Sequence, residues 1–367
     1  MWSSGKLALG VATLGAAIAL AAPAFALNLE VNKHGTVADF QPITKYCGTK
    51  PIKVALSDGW GGNYWRHIMR GEFEAEAAKC KNITEVRYTD GEGKPEKQIA
   101  DIEGLVAQHF DVILVYPDAG AAIDKAERDA TKAGVKVVVF DDGNPSTTEP
   151  GKVGRDYITR ATEDQVEVGR QFATWLAETL NGKGNIIIYG GTPGNPQTAA
   201  QAIGWKEVLK KYPNIKVLEG QPIVTNWDPA LAQQKTAALI AKYPQIDGMY
   251  SETTGPIRAF LAAGKPIPTY VGQSLMDLSC LYADHPNFKM MSMDAHTWMV
   301  RLGLRKAVAA AQGIDETEPS LITLPFTEDT TSNDPKLAVK CDKSMPMDSI
   351  PSSHLTKAEQ IKALGGK

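Results

Sequence analysis

A glycine-rich segment near residue 60 combines several side chains that can bind a polar small molecule. Its sequence, SDGWGGNYWR over residues 57–66, places two tryptophans beside carboxylate, amide and guanidinium groups. Carboxylates and amides bind hydroxyl groups, and ionised acceptors make the stronger hydrogen bonds. Indole faces cover apolar C–H surface and exclude water. Together these groups suit a sugar or polyol. The candidates in this segment are Ser57, Asp58, Trp60, Asn63, Trp65 and Arg66.

Further polar or aromatic residues follow other predicted strands or lie close to them. Open parallel sheets bind ligands beyond the carboxyl ends of their strands, and a cleft between two such domains is a favoured pocket. The additional ligand-binding candidates are Tyr116, Asp141, Asp142, Gln201, Trp227, Glu252, Gln273 and Asp294. Carboxylates outnumber arginine and lysine in the combined set, which argues against an acidic sugar.

Several candidates also have a purely structural explanation. Asp141 and Asp142 begin the sequence DDGNP, in which every residue suits a turn, and Asp142 fits a solvated position equally well. Trp65 fits the apolar side of a helix as well as a pocket, and Arg66 fits an exposed helix position. Trp60 is flanked by glycine and is harder to explain as part of a core.

Trp227 stands immediately before a predicted helix. Asp228 is a suitable N-cap, and Pro229 suits the first helical position. The cap accounts for Asp228 but not for Trp227, so we expect the indole to face the ligand.

Alternating strands and helices position these residues. In the first half, apolar runs predict strands at residues 52–56, 86–88, 112–115 and 135–140. The pattern restarts with a helix at 163–181, and strands are then predicted at 185–189, 216–218, 248–250, 269–271 and 288–293. Continuous Val/Ile runs separated by helices indicate parallel sheets covered on both faces. The sequence therefore predicts an α/β protein with two doubly wound parallel-sheet domains.

The first residues have the pattern of an export signal. One lysine precedes the apolar run 7–22, and Ala24-Phe25-Ala26 provides small residues at the positions that a signal peptidase reads. We therefore expect residues 1–26 to be a cleavable signal peptide and the protein to be exported; an uncleaved membrane anchor is the alternative. The net charge of −3 and the lack of a basic run make nucleic acid and anionic membranes poor partners.

Export makes disulfides possible. The four cysteines allow three pairings, and none forms a C-x-x-C pair. Proximity along the chain favours Cys47–Cys80 and Cys280–Cys341. Four buried free thiols are the alternative.

The stretch 95–142 carries a family resemblance. EKQIADIE at 96–103 leads into DVILVYP at 111–117, and AGVKVVVFD follows at 133–141. This order resembles the type I periplasmic sugar-binding family, the group that contains ribose-binding protein, from about residue 50 to 328. The chain keeps the family's Pro and Asp at Pro117 and Asp141 but has Tyr116 where Asn is usual. Trp227-Asp228 is similar to the family's aromatic residue followed by Asp.

The resemblance implies two lobes joined by hinge strands, with the ligand bound between them. We expect an N-terminal lobe at 48–158 plus about 295–321, a C-terminal lobe at 159–294 plus about 322–329, and a surface-wrapping tail at 330–367. It also favours Asp141 as a ligand acceptor, on the lobe opposite Trp227. The related ribose binders carry Arg where Asp142 and Gln201 stand here, which argues against a copy of the ribose pocket.

The implied function is that of a periplasmic protein that captures a neutral monosaccharide or polyol and delivers it to an ABC transporter permease. We expect it to act as a monomer and without a cofactor. A sensor that presents a sugar or an autoinducer-type ligand to a chemoreceptor would have the same fold. A secreted enzyme is the third alternative. However, GQSLM at 272–276 lacks the second glycine of a nucleophile elbow, and GGTPGN at 190–195 lacks the Lys-Ser/Thr of a phosphate loop. The six histidines have no metal-ligand spacing, so we expect neither catalytic residues nor a metal.

Overall fold

The computed structural model describes residues 1–2, 29–141 and 151–366. Its strands are β1 (His34–Gly35), β2 (Ile52–Asp58), β3 (Ile83–Asp90), β4 (Val112–Val115), β5 (Lys136–Phe140), β6 (Thr159–Glu163), β7 (Lys183–Gly190), β8 (Asn214–Val217), β9 (Ile223–Val224), β10 (Gly248–Tyr250), β11 (Thr269–Gln273), β12 (Met290–Met293), β13 (Leu321–Ile322) and β14 (Phe326–Asp329). Its α-helices are α1 (Tyr64–Ala77), α2 (Pro95–Ala107), α3 (Asp124–Lys132), α4 (Gln165–Thr179), α5 (Pro196–Leu209), α6 (Pro229–Lys242), α7 (Gly255–Ala262), α8 (Met276–Asp284), α9 (Met299–Gln312) and α10 (Lys357–Ala363).

The first sheet is parallel throughout, in the order β1-β13-β6-β5-β4-β2-β3. Every residue of β4 is buried, as expected for a central strand covered on both faces. Helices α2 and α3 cover one face, where Ile102 and Ala130 pack with Ile113 and Val137. Helices α1 and α9 contribute to the core on the other face.

The second sheet has the order β14-β12-β11-β10-β7-β8, with β9 paired to β7, and only β14 is antiparallel among its described pairs. Helices α4 and α5 approach closely on one side. A Cβ at Gly169 would lie 2.2 Å from the backbone oxygen of Gln201, and a Cβ at Gly204 would lie 2.1 Å from that of Val166. The two glycines therefore set the position of α5, which carries side chains of the site described below.

These two doubly wound sheets confirm the predicted fold class. The lobe limits differ from the sequence assignment in two places, because Thr159–Glu163 and Ile322 are hydrogen-bonded into the first sheet. The chain passes between the sheets after β6, between β12 and α9, and between β13 and β14. We propose that the first lobe extends to Glu163 and includes β13.

The C-terminal segment contacts both lobes. Cys341 is bonded to Cys280 in α8 of the second lobe, and Cys47 is bonded to Cys80 in the first, so the structure contains both expected pairs. Further on, Ser353 Oγ and His354 N donate to the Glu72 carboxylate of α1 at 2.5 and 2.7 Å. Helix α10 then packs against α1. The segment expected to wrap the surface thus lies against helices of both lobes.

The predicted signal peptide lies almost entirely outside the described residues. Within the ranges that the structure covers, none of the helices combines the length and apolar character needed to span a bilayer.

Candidate functional site

Residues at the carboxyl ends of both sheets line a common inner pocket. The first lobe provides the start of α1 and the residue after β4. The second lobe provides the segments after β7, β9 and β10 and the last residue of β11. The segment after β12 closes the pocket where the chain crosses between the lobes. The lining residues are Asn63, Tyr64, Trp65, Arg66, Tyr116, Gln197, Trp227, Glu252, Gln273 and His296.

Arg66 is the central charged group on the first lobe. Asn63 caps α1 by accepting from Arg66 N at 2.9 Å, which fixes the start of the helix. The guanidinium donates to Asp58 and Asp118 at 2.8 Å each and lies 3.4 Å from the centre of the Tyr116 ring. Arg66 is 4% exposed, so the exposed-helix interpretation is wrong. Burial raises the pKa of Asp118 to about 7, although Arg66 opposes this shift.

Glu252 is the corresponding group on the second lobe. Its Oε1 accepts from Gln197 Nε2 at 2.9 Å, Gln201 Nε2 at 3.2 Å and the Tyr250 hydroxyl at 2.6 Å. Its Oε2 accepts from Trp227 Nε1. These donors hold the carboxylate and the indole edge together, because each charged hydrogen bond restrains both partners. Gln201 supports Glu252 and does not line the inner pocket.

Trp227 connects the inner pocket to an outer chamber. The inner pocket has a volume of about 40 Å³, and the outer chamber has about 570 Å³. Trp227 lines both, and Trp60 and Asp118 line the outer chamber on the side of the first lobe. Trp60 and Trp227, both predicted ligand-binding residues, therefore border the same opening from opposite lobes.

His296 lies where the two sheets meet. Its Nε2 is 3.3 Å from Asp141 Oδ1 and 3.6 Å from Glu163 Oε1, and all three residues are buried. Burial alone would lower the pKa of His296, but the Asp141 and Glu163 carboxylates raise it to about 10. Asp141 and His296 have φ angles of +58° and +45°, a region that costs energy for residues other than glycine and often marks functional sites.

Seven sequence candidates line the inner pocket. They are Asn63, Trp65, Arg66, Tyr116, Trp227, Glu252 and Gln273.

The remaining candidates lie elsewhere. Asp58 is buried behind Arg66, and Ser57 is buried in β2. Asp294 accepts from Trp298 Nε1 and His296 N. Asp141 contacts His296 instead of lining the inner pocket, and Asp142 lies outside the described residues.

Sequence reasoning missed four lining or adjacent residues: Tyr64, Gln197, His296 and Glu163. His296 follows the predicted strand at 288–293, and Gln197 begins the helix after the strand at 185–189. The rule that ligand residues follow strands could have identified both. Glu163 gave no such signal, because the sequence pattern places it at the start of the predicted helix 163–181, whereas it is the last residue of β6.

Trp65 satisfies both interpretations offered by the sequence. It is 9% exposed, and its Nε1 donates to Ala295 O at 2.6 Å, which ties α1 to the crossing segment. Its ring centre lies 5.5 Å from that of His296. It is therefore a core residue whose edge borders the pocket.

The sequence model of a family described as a periplasmic binding protein domain matches residues 54–315. The chain belongs to the type I periplasmic sugar-binding protein family. Its relatives include a xylitol-binding protein of Mycolicibacterium smegmatis, 27% identical over 258 residues that cover 69% of this chain and 71% of that one. The galactofuranose-binding protein YtfQ of Escherichia coli is 28% identical over 172 residues, which cover 47% of this chain and 52% of that protein. The match thus spans about half of YtfQ.

Solved structures of periplasmic binding proteins share the fold. An ABC transporter solute-binding protein from Thermobispora bispora has a TM-score of 0.68 at 23% identity, over 86% of this chain and 97% of that one. An ABC transporter solute-binding protein from Agrobacterium vitis with bound allitol has a TM-score of 0.64 at 19% identity, over 76% and 96%. At these identities the likeness establishes the architecture of the two lobes.

Proposed function

We propose that this periplasmic binding protein captures a neutral monosaccharide or polyol between its lobes and delivers it to an ABC transporter permease. The observation that carries the proposal is the inner pocket itself. Arg66 and Asn63 on one lobe face Gln197, Glu252 and Gln273 on the other, so hydroxyl-binding groups converge from both sides.

The aromatic groups of the pocket complete this recognition chemistry. Trp65 and Tyr116 border the pocket from the first lobe, and Trp227 borders it from the second. Their rings suit the C–H surface of a sugar, since aromatic faces exclude water from such contacts. The names of the relatives support the same ligand class, because they include binders of xylitol, galactofuranose and ribose.

Ligand entry requires the lobes to move apart. Ligand pockets usually measure roughly 300–1,000 Å³, whereas the inner pocket has about 40 Å³. The three crossings between the sheets are suitable hinges, because a few residues at the ends of elements can absorb such a rotation. We infer an open form that admits the ligand and a closed form that the permease recognises.

The experiment begins with the ligand. Denatured protein is examined by mass spectrometry for released small molecules, and calorimetric titration follows with xylitol, allitol, D-ribose and D-allose. We expect a single site for at least one neutral polyol or sugar and recovery of the ligand chemically unchanged. Failure of every neutral polyol and sugar to be released or to bind would refute the proposal, and a converted ligand would indicate an enzyme.

A matched pair of variants tests the location. Glu252→Gln removes the charge that organises the second lobe's side of the pocket, and we expect roughly a 10- to 100-fold loss of affinity. Glu178→Gln makes the same change at an exposed position of α4 and should bind normally. Equal affinities of the two variants would place the site elsewhere.

A further inference from the structure

Three buried residues from distant parts of the chain meet beside the inner pocket. Asp141 follows β5, and Glu163 ends the neighbouring strand β6. His296 follows β12 of the second sheet, at a crossing between the lobes. One side-chain atom from each residue lies within 4.8 Å of the others. These residues bring one imidazole and two carboxylates to a single point.

Two of the three separations between these atoms match those of a transition-metal centre. Zinc binds histidine nitrogen and carboxylate oxygen at about 2.0–2.2 Å, and its tetrahedral geometry separates neighbouring ligand atoms by roughly 3.3–3.6 Å. His296 Nε2 lies 3.3 Å from Asp141 Oδ1 and 3.6 Å from Glu163 Oε1. Both observed separations fit that range.

The carboxylates also have unused acceptor capacity. Asp141 is 5% exposed and Glu163 is fully buried. Within the described chain, neither oxygen of the Asp141 carboxylate accepts a hydrogen bond, and neither does Glu163 Oε2. Buried charged oxygens usually have hydrogen-bond donors or coordinate a metal, because leaving them without either is costly. Apart from the ion-pair contacts to His296, three of the four oxygens of these two carboxylates lack a donor within the described residues, which leaves them available to a bound cation.

The surrounding groups orient the proposed ligands. His296 Nδ1 lies 3.4 Å from Asp294 O, so a proton on Nδ1 would point to that carbonyl and leave Nε2 available for a metal. Gln165 Nε2 donates to Glu163 Oε1. Backbone carbonyl and side-chain partners of this kind are the usual outer shell of a metal site.

We propose that Asp141, Glu163 and His296 bind one divalent transition-metal ion of the zinc class. Imidazole with carboxylates suits such ions better than it suits calcium or magnesium. The ion would link β5 and β6 of the first lobe to the segment after β12, and His296 would bring it to the edge of the inner pocket. Metal binding is thus an additional property of this chain and does not depend on the identity of the sugar.

The test uses untagged mature protein treated with a chelator and then freed of it. Titration with zinc chloride is followed by calorimetry, and retained zinc is counted by mass spectrometry after desalting. We expect one zinc per chain. Glu163→Gln and His296→Gln should each weaken zinc binding by more than the 10- to 100-fold typical of losing an outer-shell partner. His109→Gln removes an exposed imidazole and should leave the stoichiometry and affinity unchanged.

Cobalt provides a readout that does not depend on variants. One equivalent of Co²⁺ added to the metal-free parent should give visible d–d absorption bands typical of low coordination. Absence of saturable zinc binding, or a cobalt spectrum no stronger than that of the free ion, would overturn the proposal and leave an ion pair of His296 with its carboxylates. Unchanged zinc binding by both ligand variants, with circular dichroism confirming that they fold, would assign the metal to surface histidines and would also overturn it. These results are obtained without sugar, so they stand apart from any failure of the sugar titrations.

Discussion

Gly191→Ala offers a way to move the Trp227 indole without changing any group that binds ligand. A Cβ at Gly191 would lie 2.1, 2.3 and 2.4 Å from three atoms of the Trp227 ring. The φ angle of Gly191 is not in the left-handed region that the structure records for other glycines. The backbone therefore accepts alanine, and the conflict is confined to the indole.

The size of the effect follows from these distances. Ordinary van der Waals contact begins at 3.4 Å, so the ring must move by roughly 1.3 Å or more, in keeping with the tight packing of protein interiors. This displacement would break the hydrogen bond from Trp227 Nε1 to Glu252. Glu252 and the indole would then no longer be held together at the pocket. Losing one ligand hydrogen bond to a charged group costs about 1.5–3 kcal/mol, which corresponds to an affinity loss of roughly 10- to 100-fold. Because Trp227 is only partly buried, the loss of folding stability should stay near the lower end of the roughly 1–3 kcal/mol range for overpacking.

The assay is calorimetric titration with the identified ligand, together with urea unfolding of the empty proteins. Gly104→Ala is the matched control, because a Cβ there meets only Gln108 at 3.9 Å within helix α2. It should bind normally and gain about 0.5–1 kcal/mol of stability. Trp227→Ala should lose at least as much affinity as Gly191→Ala. Parental affinity of Gly191→Ala, or of Trp227→Ala, would refute the role of the indole.

Three further predictions concern stability. Replacing Cys280 and Cys341 together by serine opens a link between residues 61 positions apart and should lower the free energy of unfolding by about 2–4 kcal/mol; unchanged urea unfolding would mean that the bond is not formed in solution. Arg66→Met leaves Asp58 and Asp118 buried without their shared cation and should cost about 3–5 kcal/mol, so a parental unfolding midpoint would contradict the ion-pair assignment. The folded-state pKa of Asp118 is raised from 3.8 to about 7, so the folded protein binds a proton at Asp118 more tightly than the unfolded chain does. The stabilisation from this proton is complete below about pH 4 and is lost as the pH rises through about 7. Asp118→Asn should therefore flatten the dependence of unfolding free energy on pH in this window, and parallel curves for parent and variant would disprove the shift.

Hydrophobic runs predicted the central strands well because burial on both faces leaves a continuous signal. The predicted strand 112–115 coincides with β4, and 135–140 differs from β5 by one residue. The edge strand β3 was predicted as only 86–88, whereas it covers Ile83–Asp90. Most of its residues are partly or fully exposed, so polar side chains interrupt the apolar pattern from which a strand is recognised.

Strand β6 shows why the lobe boundary could not be predicted. Its sequence, TRATE, is polar, yet every residue is buried. Thr159 Oγ1 donates to Glu30 O at 2.7 Å, and Arg160 Nη2 donates to Asn32 Oδ1 at 2.7 Å. The segment before β1 thus supplies hydrogen-bond partners that offset the free-energy cost of burying this polar strand. No local sequence pattern can identify a hydrogen-bond partner that lies about 130 residues away.

The cluster of Asp141, Glu163 and His296 raises the same difficulty for function. The six histidines lack the spacing of metal ligands along the chain, which counted against a metal site. That reasoning applies only to ligands that share one local element, such as two histidines on a helix. Here the gaps along the chain are 22 and 133 residues, and the contact arises from the pairing of β5 with β6 and from the crossing after β12. Asp141 could be selected from the sequence because it follows a strand. The topology of the fold brings its partners to it, and those partners determine whether its carboxylate binds a hydroxyl group, a proton or a metal ion.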